Sequence, residues 1–269
     1  MRLTINGIGY HIRSWGHGPA LLALHGFTGS GASWGALAQQ LGQSRRVIAP
    51  DLIGHGATDA PADPGRYAMP ACVADMLALA DALGLEQFDL LGYSMGGRVV
   101  LQLAAAAPQR VRRMALESAS PGLASQAERQ ARRTADDALA ERIEREGLAW
   151  FAGYWQAIPL FASQAALPAE TLAWLREQRL AGNPHGLAGS LRGMGTGQQT
   201  SLWDALGGLP TPTLLLAGAL DAKFAAIGQQ MADRMPQAQL IIIPDAGHTI
   251  HLEQPSLFAQ TVAAFLDEQ

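Results

Sequence analysis

The sequence predicts an α/β fold: a mostly parallel sheet flanked by helices, interrupted by one helical insertion. Three observations carry that expectation. Short apolar runs alternate with amphipathic stretches of helical length along most of the 269 residues, as in βα units whose strands are covered on both faces. Residues 3–16 instead read as two short strands about an Asn6-Gly7 pair, the turn chemistry of an antiparallel hairpin. Residues 119–204 hold no strand-like run.

Each element follows from its residues. The hairpin "LTINGIGYHIRSWG" belongs on the edge of the sheet. The strand candidates are "ALLALHG" at 20–26, "RRVIAPD" at 45–51, "FDLLGYS" at 88–94, "VRRMALES" at 111–118, "TLLLAGALD" at 213–221 and "QLIIIPDAGH" at 239–248. Runs this short and this apolar suit strands buried on both faces. Helices are expected between them at about 33–42, 70–84, 95–107, 223–235 and 255–267. The block 119–204 crowds Arg, Glu, Gln and Ala together with Trp150, Phe151, Tyr154, Trp155 and Phe161, and reads as a helical lid. Residues 1–118 and 205–269 then form the core. Because the block falls between two strands of the sheet, it is expected to lie across their carboxyl ends, where open α/β sheets bind ligands.

Composition sets the outer bounds on function. Apolar residues make up 48% and charged residues 16% of the chain, with a formal net charge of −4, an ordinary profile for a water-soluble globular protein. A chain of this length buries a full core as one domain with an insertion. Nothing in the charge suggests a polyanion, so no nucleic-acid partner is expected. No window holds about 18 uninterrupted apolar residues, and "MRLTINGIGYHI" alternates like a strand without the apolar centre of a secretory leader. No membrane insertion and a cytoplasmic location are expected. The single cysteine, Cys72, excludes an internal disulfide, makes no thiolate metal site by itself, and reads as a small apolar residue on a helix.

The chemistry centres on Gly92-Tyr93-Ser94-Met95-Gly96. This is G-x-S-x-G between a strand and a helix, a context in which the serine sits on a sharp turn and the glycines keep side chains out of the bend. A serine hydroxyl is nearly inert at neutral pH, so it needs a base, a group that orients the base, and donors for developing negative charge. His248, in "DAGHTIHLEQP" after an apolar strand, is the preferred base. His251 is its competitor, at what reads as the start of a helix. Asp221, in "LLLAGALDAKF", is the preferred orienting carboxylate, although a helix N-cap is its plainer reading; Asp245 is a rival only three residues before His248. The N–H groups of Phe27 and Met95 are candidates for an oxyanion hole. "HGFTGSG" lacks the lysine of a P-loop and the spacing of a dinucleotide fingerprint. His25 reads as a structural hydrogen-bonder and His55, in "PDLIGHGATDAP", as a residue that fixes its loop. No metal ligand set is found.

Arginines mark a departure from a plain esterase. Arg98 lies one turn into the helix after Ser94, close enough to its start to face a cleft, and Arg132 and Arg179 are further candidate cations in the lid. Any one alone reads as a solvated surface charge. All three together favour an anionic substrate, because guanidinium groups pair bidentately with carboxylates.

Taken in order, "LHGFTGS", "PDLIGHG", "GYSMGG", "GALDAKF" and "DAGHTIHLEQP" resemble the α/β-hydrolase fold family over nearly the whole chain. Its members include esterases, C–C bond hydrolases and lyases, so the fold does not choose the reaction. The segments "GYSMGGR", "ESASPGL", "IPLFASQ" and "SLRGMGTG" are similar to the branch of pyruvate-eliminating synthases of menaquinone biosynthesis. That resemblance implies a small polycarboxylate substrate, no cofactor, and loss of pyruvate by elimination, with Ser94 acting as a base held by His248 and Asp221. It also implies that Arg98, Arg132 and Arg179 bind carboxylates while Tyr93 and Trp155 line the pocket. Two alternatives remain open at this point: hydrolysis of an anionic ester or C–C bond by the same three residues, and a non-catalytic ligand-binding member of the fold.

Overall fold

A computed structural model describes residues 1–268. Eight strands form one sheet: β1 (Arg2–Ile5), β2 (Ile8–Trp15), β3 (Ala20–Leu24), β4 (Arg46–Pro50), β5 (Phe88–Tyr93), β6 (Val111–Glu117), β7 (Thr213–Gly218) and β8 (Ala238–Ile243). Their spatial order is β1-β2-β4-β3-β5-β6-β7-β8. The β1–β2 hairpin is antiparallel with Ile5 opposite Ile8, and Asn6 and Gly7 take the positive φ angles, 47° and 82°, that its two-residue turn requires. β2 runs antiparallel to β4, and every pair from β4 to β8 is parallel. The functional loops therefore leave from one edge.

Alternation along the strands divides the apolar residues into two layers. Leu21, Ala23, Val47, Ala49, Leu91, Ala115, Leu214 and Leu216 face one side, where α1 (Gly35–Leu41) and α9 (Pro255–Asp267) pack through Leu37, Phe258, Val262 and Phe265. Leu22, Leu24, Ile48, Leu90, Met114, Leu116 and Leu215 face the other. There α2 (Met69–Ala82), α3 (Met95–Ala106) and α7 (Ala222–Ala232) cover them. Cys72 is buried in α2, where burial holds its thiol up at about 12, in keeping with an inert packing residue. One strand departs from expectation. β8 is only partly buried and leaves Ile242 41% exposed, because as the last strand of the order it has a neighbour on one side alone.

Between β6 and β7 lie α4 (Gln126–Gln156), α5 (Ala169–Leu180) and α6 (Pro184–Met194), with no strand among them. Ser125 and Glu128 close a capping box at the start of α4, and the helix breaks at Gly147, whose φ is 77°. This insertion has its own small core of Ala140, Ile143, Phe151, Leu187, Ala188 and Leu191, against which Phe27 and Trp155 pack. α8 (Ile250–Glu253) begins the helical segment that contains His251. No helix among the described residues is long and apolar enough to cross a membrane.

Phe258 is fully buried between α9 and the sheet. Phe258→Ala is expected to cost about 3–5 kcal/mol, the transfer term plus an unrelaxed cavity. In urea titration, the midpoint falls while the slope is retained.

Candidate active site

The turn from β5 into α3 places Ser94 at φ 50°, ψ −107°, a region that residues with a β-carbon rarely enter. Glycines make the turn possible. A Cβ on Gly92 would lie 2.6 Å from Cα of Gly97, and one on Gly96 would lie 2.1 Å from the Leu24 carbonyl oxygen. The Ser94 N–H donates to the Glu117 carbonyl at 2.8 Å, and its own carbonyl accepts from the Arg98 N–H at 3.0 Å.

Around this turn the structure brings three sequence candidates into contact. Ser94 Oγ lies 3.0 Å from His248 Nε2, and His248 Nδ1 lies 2.7 Å from an Asp221 carboxylate oxygen. With Nδ1 protonated toward the carboxylate, Nε2 is free to accept the serine proton. The plainer reading of Asp221 holds as well, since its other oxygen caps α7 by accepting from the Phe224 N–H at 3.1 Å. One carboxylate thus positions both a histidine and a helix. Sequence reasoning missed Glu253, whose two oxygens accept from the Gly247 and Thr249 N–H groups at 2.7 and 3.1 Å and so hold the His248 loop from both sides.

The competing residues lie elsewhere. His251 pairs with buried Glu117 at 2.8 Å, and Asp245 is exposed. His25 donates from Nδ1 to the Gly26 carbonyl and accepts the Leu52 N–H at Nε2. His55 Nδ1 donates to the Ile53 carbonyl. Both tie loops together.

A cavity of about 180 Å³ opens beside Ser94 and His248. Phe27, Tyr93, Met95 and Trp155 line it. Among the described residues neither the Phe27 nor the Met95 N–H is taken by another group of the chain. Tyr93 is anchored by a 3.0 Å bond to Thr249 Oγ1, and Trp155 packs edge-on to Phe27 at 5.3 Å. Arg98 and Arg132 also line the cavity. Arg98 Nη1 donates to the Met194 carbonyl and to Gln199 Oε1, at 2.7 and 3.0 Å. Burial and the neighbouring Arg132 lower Arg98 to about 10, so it stays charged at neutral pH. Arg132 donates from Nε to Asp136 at 2.8 Å, and burial raises the Asp136 carboxyl against the pull of Arg132. Sequence reasoning also missed Lys223 and Phe224, which complete the wall from α7.

Arg179 is not brought into this cavity. It is buried, 4% exposed, and lines a neighbouring space with Thr28, Gln164 and Thr249. Phe161 and Tyr93 are walls common to both spaces.

A serine on a strained strand-to-helix turn, a histidine and an aspartate after later strands, and helices inserted over the sheet define a class. The chain belongs to the α/β-hydrolase fold family, whose model matches residues 19–255. Within it, the chain is 45% identical over 92% of its length to a Bacillus subtilis (strain 168) protein, covering 90% of that relative; its name, 2-succinyl-6-hydroxy-2,4-cyclohexadiene-1-carboxylate synthase, is assigned provisionally. A Salmonella heidelberg (strain SL476) protein with the same name, unqualified, is 35% identical over 92% of this chain and 94% of its own. The solved structure of MenH from S. aureus superposes with a TM-score of 0.92 at 34% identity, covering 95% of this chain and 97% of that one.

His55 contributes a pH dependence of definite sign. Burial lowers it from 6.5 to about 3, and the neighbouring His25 adds to the effect. Between those values the unfolded chain binds a proton that the folded chain refuses. This contribution to stability is complete above about pH 6.5 and is lost as pH falls toward 3, at up to ~1.4 kcal/mol per pH unit. Urea midpoints at pH 6 and pH 5 are expected to show His55→Asn losing about 1 kcal/mol less stability over that step than the unsubstituted protein.

Proposed function

We propose that this protein is a 2-succinyl-6-hydroxy-2,4-cyclohexadiene-1-carboxylate synthase, a cofactor-independent lyase of menaquinone biosynthesis acting on a small polycarboxylate in the cytoplasm. The observation that carries the reading is the pocket itself. A serine in hydrogen-bond contact with a histidine–aspartate pair opens into a cavity lined by cations and, among the described residues, by no carboxylate. The names of the relatives supply the reaction.

In this reading His248 takes the Ser94 proton and Asp221 stabilises the imidazolium that forms. The Ser94 alkoxide removes a ring proton from 2-succinyl-5-enolpyruvyl-6-hydroxy-3-cyclohexene-1-carboxylate. The C–H electron pair moves through the ring double bond and breaks the bond to the enolpyruvyl oxygen. The proton returns through the relay to the departing group, which leaves as pyruvate. Negative charge that spreads from the broken C–H bond onto an adjacent carbonyl oxygen meets the Phe27 and Met95 N–H groups. The positive end of α3 points the same way. Arg98 and Arg132 hold carboxylate, with Tyr93 and Trp155 as apolar walls. Arg179 is left out of this assignment because it lines a separate space.

Ser94→Ala, Asp221→Asn and His248→Ala are each expected to lower turnover by orders of magnitude with thermal midpoints within a few degrees. Combining them should add little, because the three act as one unit. Pyruvate release in oxygen-18 water separates elimination from hydrolysis: unlabelled product carboxylates support the lyase, and an incorporated label assigns the site to a hydrolase.

Arg98 tests substrate charge. Arg98→Ala is expected to reduce kcat/KM on the anionic substrate about a hundredfold, near 3 kcal/mol for a charge-assisted contact. Arg98→Lys should recover only part, since an ammonium lacks the planar fork. Slow hydrolysis of p-nitrophenyl acetate is the control. Because Arg98 also ties the end of α6, equal losses on both substrates would reassign it to support of the fold.

A further inference from the structure

Of 19 basic side chains, 18 are arginine, and the one lysine, Lys223, lines the cavity beside Ser94. It sits two residues after Asp221 in the first turn of α7. Its ammonium makes no ion pair among the described residues and lies 5.7 Å from the Phe224 ring, which in turn stands 4.6 Å from the His248 ring. Lys223 is exposed, whereas Arg98 on α3 is held by two protein acceptors and Arg132 on α4 by Asp136. A cation in the first turn of a helix also opposes the helix dipole, so nothing local to α7 favours it there.

We infer that Lys223 is a specificity-determining residue that pairs with a second substrate carboxylate, the one on the flexible outer arm, while the arginines on the insertion side hold the other. This rests on the reading above, in which the substrate carries more than one carboxylate. The chemistry suits the position. A compact ammonium on four methylenes follows a mobile partner at a wet pocket mouth, where a planar fork fixed by packing suits a ring-bound group. Placed one aromatic ring from the triad histidine, it also tethers the substrate from the side of α7, across from α3 and α4.

Two measurements test it. Lys223→Gln is expected to raise KM for the anionic substrate about tenfold or more with kcat altered less than threefold, and Lys223→Arg to recover most of that loss; an unaltered KM, or a loss confined to kcat, overturns the proposal. The second readout needs no turnover. Acetic anhydride labels only Met1 at its amine and Lys223 among amines of the chain, and peptide masses report the two rates separately. 2-Succinylbenzoate, which carries one carboxylate on a flat ring and a second at the end of a flexible arm, should slow Lys223 labelling at least fivefold and leave Met1 unaffected. No slowing, or equal protection by benzoate, overturns the proposal. Protection without pyruvate release from the enolpyruvyl substrate would retain the Lys223 site while removing the synthase reading.

Discussion

The left-handed φ of Ser94 costs a residue with a β-carbon on the order of 1–3 kcal/mol, and the rest of the site depends on its being held there. The restraints come from both sides of the turn. β6 accepts the serine N–H, α3 donates to the serine carbonyl, and bare glycines let β5, α3 and β3 approach within what a methyl group would occupy. The same geometry leaves the Met95 N–H at the first position of α3 without a helical acceptor. The cavity-facing hydroxyl of Ser94, the free Met95 N–H and the direction of the α3 dipole are consequences of one backbone constraint. His248 and Asp221 are then aimed at that fixed point from loops after β8 and β7, and Glu253 clamps the histidine loop.

Charge is handled differently at the two adjoining spaces than in the rest of the molecule: buried Arg179 too has Nε and Nη1 without a partner among the described residues. Buried Asp51 accepts from the Gly31 and Ala57 N–H groups and from Arg13; Asp75 accepts from Tyr10, Asn6 and Arg66; Asp89 meets Arg45 and Arg112. Each buried acid is matched by donors, as desolvation demands. Beside Ser94 the match fails in one direction. Arg98, Arg132 and Lys223 line the cavity, and Asp136 behind Arg132 is the carboxylate set against them. Two arginines close enough for one to depress the other are a standing electrostatic cost. Asp136 offsets it in part, and the proposed carboxylate substrate would relieve the rest.

Much of this was legible in the sequence because strands covered on both faces leave continuous apolar runs, and because the serine turn needs glycines at fixed offsets. The hairpin, the parallel strands, the helical insertion and the contact among Ser94, His248 and Asp221 all come from such local rules. What the sequence concealed depended on the third dimension. "QLIIIP" reads as buried, yet β8 lies at the end of the order and exposes Ile242. Arg179 reads as equivalent to Arg132, yet the path of α5 carries it behind Phe161 and Tyr93. Glu253 acts on backbone N–H groups four and six residues away, a contact no spacing rule anticipates. Lys223 stands out in the sequence as the only lysine, and it is the path of α7 that sets it in the pocket wall.

The insertion docks on the residues beside Ser94. Trp155 and Phe151 pack against Phe27 at 5.3 and 6.1 Å, Ser190 Oγ meets Met95 Sδ at 3.5 Å, and Arg98 holds the last carbonyl of α6. These contacts join the insertion to the Phe27 loop and to the first turn of α3, and Phe161 and Gln164 of the same insertion also reach the His248 ring at 5.9 Å and Thr249 Oγ1 at 2.9 Å. In a family where one serine arrangement serves esterases, C–C hydrolases and lyases, the contact among Ser94, His248 and Asp221 leaves the reaction open, and the insertion shapes the space in front of it. Arg98, donating from α3 to the last carbonyl of α6, is where core and insertion meet at the pocket wall.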